Sequence, residues 1–89
     1  MRAQSNGAVA REAELFGESL KRWREKRSLT QEALAHIAGI TTAYAGMVER
    51  GRKVPSLTVV LKLCRALECT PGELLAEFTP TVLKRLKLE

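Results

Sequence analysis

No stretch of the 89 residues approaches the roughly 20 consecutive apolar positions that a membrane-crossing helix needs. The opening MRAQSNGAVARE is also too polar for the apolar centre of a signal peptide, so the expectation is a cytoplasmic chain with no membrane partner. The two cysteines, Cys64 and Cys69, and the single histidine, His36, are spaced unlike any zinc or redox motif. Neither a metal nor another cofactor is expected, and Cys64 reads as a core residue, as free cysteines commonly are. Also missing are a nucleophile beside a base, a carboxylate pair and a phosphate-cradling glycine loop, so no residue is assigned a catalytic role. Nothing alternates like a strand for long, and no internal repeat or low-complexity segment is present.

What is present is positive charge. Fifteen lysines and arginines stand against ten acidic residues, a formal net charge of +5 that suits a polyanionic partner without saying which one. The length suffices for one compact domain with a core that needs neither metal nor disulfide.

Along the chain, residues 1–12 mix Gly, Ser, Asn, Gln and Ala without an apolar stripe and read as a flexible arm. Arg2 and Arg11 leave open a basic arm that tracks phosphate. From Glu14 to Arg27, Leu15, Phe16, Leu20 and Trp23 recur at helical spacing, which assigns Trp23 to the core rather than to stacking on bases. Thr30 caps a second helix that runs to about Ala38, with Leu34, Ala35 and Ala38 inward and Gly39 supplying the left-handed stop. His36 falls on its outer side. Thr41 or Thr42 caps a third short helix reaching about Arg50, where Gly51 ends it. Ser56 opens a fourth helix through about Leu67, with Leu57, Val60, Leu61, Cys64 and Leu67 at the spacing of a buried face. Thr70, Pro71 and Glu73 form a start signal of cap, first-position proline and capping-box glutamate for a fifth helix containing Leu74, Leu75 and Phe78. Thr79 and Pro80 repeat the cap and proline for a short last helix to about Leu86.

The stretch LTQEALAHIAGITTAYAGMVERGRKVPS, residues 29–56, resembles the Cro/C1-type helix-turn-helix of phage repressors and the wider XRE family of bacterial regulators. The resemblance extends through FGESLKRWRE upstream and LTVVLKLCRALECTPGELL downstream, covering roughly residues 15–78. It implies an all-α, five-helix, lambda-repressor-like DNA-binding domain at residues 13–78, followed by an extra C-terminal helix or tail at residues 79–89. The third helix would enter the major groove, which is about 12 Å wide, while the second braces it across the backbone.

By that register, Thr41, Thr42, Ala43 and Tyr44 occupy the end of helix 3 that faces the bases, and Thr42, Ala43 and Met47 approach base edges. Gly46 lies beside them where larger polar residues are common. This face is unusually apolar: it offers thymine-methyl contacts but no Arg, Asn or Gln for bidentate recognition. Gln31 matches the position whose amide meets a phosphate, where backbone N–H groups at the helix start point the same way. Arg50, Arg52 and Lys53, just past helix 3, are placed to reach phosphates, a base edge or a narrow minor groove. Tyr44 either donates to the DNA or packs as a half-buried core residue. Arg24 and Glu49 match a family pair that forms a structural salt bridge.

After five helices have closed a core, Phe78, Val82, Leu83 and Leu86 still form an apolar stripe, with Leu88 beyond it. The expectation is a twofold homodimer that sets two recognition helices about 34 Å apart on a palindromic operator. The alternative is that Val82 and Leu83 fold back onto helix 1. The function expected is sequence-specific binding of double-stranded DNA, hence repression or activation, as in a phage-type repressor or a restriction-modification controller. A DNA-binding antitoxin or other module that engages a small protein partner remains the competing reading.

Overall fold

A serine or threonine opens five of the six helices among the described residues, each accepting a hydrogen bond from the backbone N–H three positions on. Each such cap satisfies one orphan donor and stabilises by about 1 kcal/mol. The computed structural model describes residues 10–88, which are helical with no strand among them. The helices are α1 (Arg11–Lys26), α2 (Gln31–Ala38), α3 (Thr42–Glu49), α4 (Leu57–Leu67), α5 (Pro71–Leu74) and α6 (Pro80–Arg85). Residues 1–9, where most of the expected arm falls, lie outside the described residues.

Helix α1 starts at Arg11, three residues before the predicted onset, so the last two positions assigned to the arm are helical. Glu12 and Glu14 favour the positive end of its dipole, and no side chain caps Ala10. Thr41, rather than Thr42, caps α3 through a 3.0 Å bond from Tyr44 N–H. The capping box of α5 is complete: Thr70 accepts from Glu73 N–H at 3.0 Å, and the Glu73 carboxylate accepts from Thr70 N–H at 2.8 Å. This helix is shorter than expected, a single turn, after which overlapping turns carry the chain to the extended Thr79 that Pro80 requires.

Four helix ends share one closing motif. In α2, Ile40 N–H reaches Ala35 C=O at 3.0 Å and Gly39 N–H reaches His36 C=O at 3.3 Å, with Gly39 at φ +75°. The same paired bonds close α1 at Ser28, α3 at Gly51 and α4 at Glu68. All four closing residues are left-handed, although Ser28 and Glu68 carry side chains that disfavour it.

The core gathers Phe16 and Leu20 of α1, Leu34 and Ala38 of α2, Val48 of α3, Val60, Leu63, Cys64 and Leu67 of α4, and Leu74 of α5. Trp23 packs against its edge, with Lys26 and Arg27 over its ring. The reading of α4 needs one correction: Leu57 and Leu61 are 72% and 47% exposed, and Leu63 is buried in their place. An apolar stripe wider than the packed surface does not say which of its rows meets the neighbours. Ser19, fully buried on α1, donates to the Leu74 carbonyl at 2.6 Å and ties α5 to α1.

Candidate nucleic-acid interface

Helix α3 packs between α1 and α2, and what holds its inner side determines where its outer side points. Ala45 and Val48 are buried there. Gly17 of α1 lies directly beneath the C-terminal end of α3, because a β-carbon at that position would press on the Val48 carbonyl and sit 2.5 Å from the Glu49 carbonyl oxygen. The close crossing therefore depends on a residue without a side chain.

Glu49 joins three helices. Its carboxylate accepts from Arg24 Nε at 2.6 Å, from Arg24 Nη2 at 3.2 Å and from Gln31 Nε2 at 3.0 Å, while only 3% of its side chain is exposed. Arg24 also donates to the Leu29 carbonyl at 2.8 Å. The hydrogen bond to Glu49 holds the Arg24 pKa above its ordinary value against the opposing effect of burial. The pairing inferred for Arg24 and Glu49 is thus formed, and it also engages Gln31. One amide proton of Gln31 is used in this way and the second is left for an external acceptor.

The outward side of α3 carries no acidic group, since Glu49 is turned in. Thr41, Thr42 and Ala43 are exposed, Met47 is half-buried, and Tyr44 is half-buried with its ring against the core. Arg50, Arg52 and Lys53 are exposed past the end of α3. The ion pairs among the described residues are Arg11–Glu14, Arg22–Glu77 and Arg24–Glu49, which leaves these three cations unpaired. Gln31, through its bond to Glu49, stands by the C-terminal end of α3 from which Arg50, Arg52 and Lys53 follow, whereas Thr41, Thr42 and Ala43 form its N-terminal start.

The C-terminal stripe divides. Phe78 and Leu83 line an open apolar hollow of about 340 Å³ with Ala13, Phe16, Val54, Pro55, Val60 and Leu75. Val82 and Leu86 are half-buried and line a second hollow against Arg11 and Leu15 of α1, with Arg85. His36 is exposed, and no group of three potential ligands that could hold a metal occurs among the described residues. Cys64 is buried and Cys69 half-buried, both free. Burial and the adjacent Cys64 thiol push the Cys69 pKa up to about 11, so it stays a neutral thiol. Sequence reasoning missed Gly17 and Ser19, since neither breaks a local pattern.

A short bracing helix, a left-handed glycine corner and a second helix with one side free define a helix-turn-helix protein. The chain belongs to the helix-turn-helix family HTH_3, of XRE type, which it matches over residues 20–74. It is 32% identical over 63 residues to the HTH-type transcriptional regulator YazB of Bacillus subtilis (strain 168), covering 71% of this chain and 91% of that protein. Among solved structures, the restriction-modification controller protein C.AhdI from Aeromonas hydrophila superposes with a TM-score of 0.69 at 41% identity, over 71% of this chain and 96% of that one. The P22 c2 repressor, crystallised with a synthetic operator, superposes with a TM-score of 0.62 at 30% identity, over 66% and 89% of the two chains. The fold is lambda-repressor-like, and the relatives are transcriptional regulators rather than enzymes.

Proposed function

We propose that this protein binds operator DNA as a cytoplasmic homodimer, inserting α3 in the major groove of each half-site and thereby repressing or activating transcription. The observation that carries the reading is the division of α3. Ala45, Val48 and Glu49 are locked inward by α1 and α2, while Thr42, Ala43 and Met47 face outward, followed by three cations that have no acidic partner among the described residues. Gln31, Arg52 and Lys53 serve the phosphate backbone, which fixes register without reading sequence. The P22 c2 repressor, whose structure was solved on an operator, supports the same use of this fold. The hollow lined by Leu75, Phe78 and Leu83 supplies the twofold contact.

Selection of bound fragments from random duplex DNA tests this. The chain should enrich a palindrome with half-sites about 10 base pairs apart, centre to centre. Gln31→Ala and Arg52→Ala should weaken binding to all fragments alike, and Thr42→Ala should change the preferred sequence. No enrichment over bulk DNA, together with retention of a small protein during purification, would favour the partner-binding module instead.

A further inference from the structure

The outward row of α3 lacks an arginine, asparagine or glutamine at a helical position, yet the structure brings one to it from the helix end. Gly46, which is buried, follows Ala43 and Thr42 by three and four residues and so borders this row, and its missing side chain leaves a shelf. That shelf is covered. A β-carbon built at Gly46 would lie 3.0 Å from Arg50 Nη1, 3.7 Å from Arg50 Cζ and 3.5 Å from Gln31 Oε1. The Arg50 guanidinium is therefore folded back along α3 by one turn, toward the end that would enter the groove. Gln31, itself fastened to Glu49 at 3.0 Å, brings its carbonyl oxygen to the same place. Unlike Arg24, Arg50 has no acidic partner among the described residues.

We infer that Arg50, seated over Gly46, is a base-reading side chain carried by α3 and that it recognises a guanine in each half-site. The inference rests on the operator-binding reading and names a specificity determinant within it. Arginine presents a planar fork of N–H donors that matches guanine O6 and N7 in the major groove, whereas a phosphate requires only positive charge. Arg52 and Lys53 lie past the helix end, where the backbone passes. Arg50 lies over the helix, beside the row that faces the bases. The apolar outward face is thus a mounting surface for a guanidinium supplied from the end of the helix.

The test compares the full chain with Arg50→Lys and Gly46→Ala in selection from random duplex DNA, followed by affinity measurements on the selected site. Gly46→Ala improves helix propensity, and the nearest atom it meets is the end of a flexible side chain, so the fold is kept while the guanidinium is displaced. The unsubstituted chain should select a fixed guanine in each half-site. Replacing that guanine by 7-deazaguanine, which lacks the N7 acceptor, should weaken binding by about 5- to 150-fold. Arg50→Lys should keep its affinity for bulk DNA but bind the selected site more weakly and show a smaller 7-deaza effect, because one ammonium does not present the planar fork that spans O6 and N7. Gly46→Ala should relax the same position. An Arg50→Lys chain that binds the selected site as tightly as the unsubstituted chain and shows the same 7-deaza effect overturns the inference. So does an equal loss on all sequences in both variants, which would make Arg50 a phosphate contact and leave operator binding intact. Failure of the unsubstituted chain to enrich any duplex would instead remove the reading beneath it.

Discussion

A carboxylate that is 3% exposed and takes three hydrogen bonds is costly to leave half-partnered. Removing Glu49 strands the Arg24 guanidinium, which is itself only 13% exposed, and frees the Gln31 amide. Glu49→Ala is therefore expected to destabilise the domain by about 3–5 kcal/mol, read as a lower urea midpoint at an unchanged slope. Arg24→Met combined with Glu49→Leu should recover much of that loss, because neither charge is then buried alone. Strictly additive effects of the two changes would contradict the coupling. At this scale the hydroxyl caps were legible, since Thr30, Thr41, Ser56, Thr70 and Thr79 each announce themselves beside a periodic segment. The pair of Arg24 with Glu49 was legible only through resemblance. The Ser19 bond to Leu74 was not legible, because it joins residues 55 positions apart and no local rule links them.

Among the elements, the helix ends show why some boundaries were readable. Gly39 and Gly51 mark their stops by composition, while Ser28 and Glu68 adopt the same left-handed geometry without the residue that normally signals it. The α1–α3 crossing was equally hidden, because Gly17 sits in mid-helix where a glycine usually reads as a blemish. Gly17→Ala should gain about 1 kcal/mol in an isolated helix. In this fold it should instead destabilise by about 1–3 kcal/mol, because a methyl group there meets backbone carbonyls that have no rotamer to change. Gly39→Ala faces open space and bears only the left-handed penalty, about 1 kcal/mol. Chemical denaturation of both variants checks the order, and a Gly17→Ala protein more stable than the parent would refute the close crossing. Overpacking at Gly17 should also weaken DNA binding, since α3 moves with the carbonyls it displaces.

For the whole molecule, the order of the six helices among the described residues was readable because five of them open on a hydroxyl cap beside a periodic segment, whereas the surface they leave uncovered was not. Leu57 and Leu61 repeat at core spacing, yet α4 meets its neighbours along Val60, Leu63, Cys64 and Leu67. Val54, Leu75 and Leu83 are exposed as well, and these three line the apolar hollow shared with Phe78. If that surface joins two copies, Leu83→Asp should raise the dimer dissociation constant at least tenfold, about 1.4 kcal/mol, while thermal unfolding of the monomer barely changes. Leu83 is 45% exposed in the single chain, so its loss removes little from the core. Sedimentation at micromolar concentration decides: a parent chain that is monomeric there removes the twofold arrangement.

The fastening of α3 at its C-terminal end has an evolutionary corollary. Because Gly17, Arg24 and Gln31 all grip around Val48 and Glu49, exchanging residues at 42, 43 and 47 alters the chemistry on display without re-aiming the rod that carries it. New target sequences are then within reach of single substitutions, and the scaffold behaves as a handle to which different bits can be fitted.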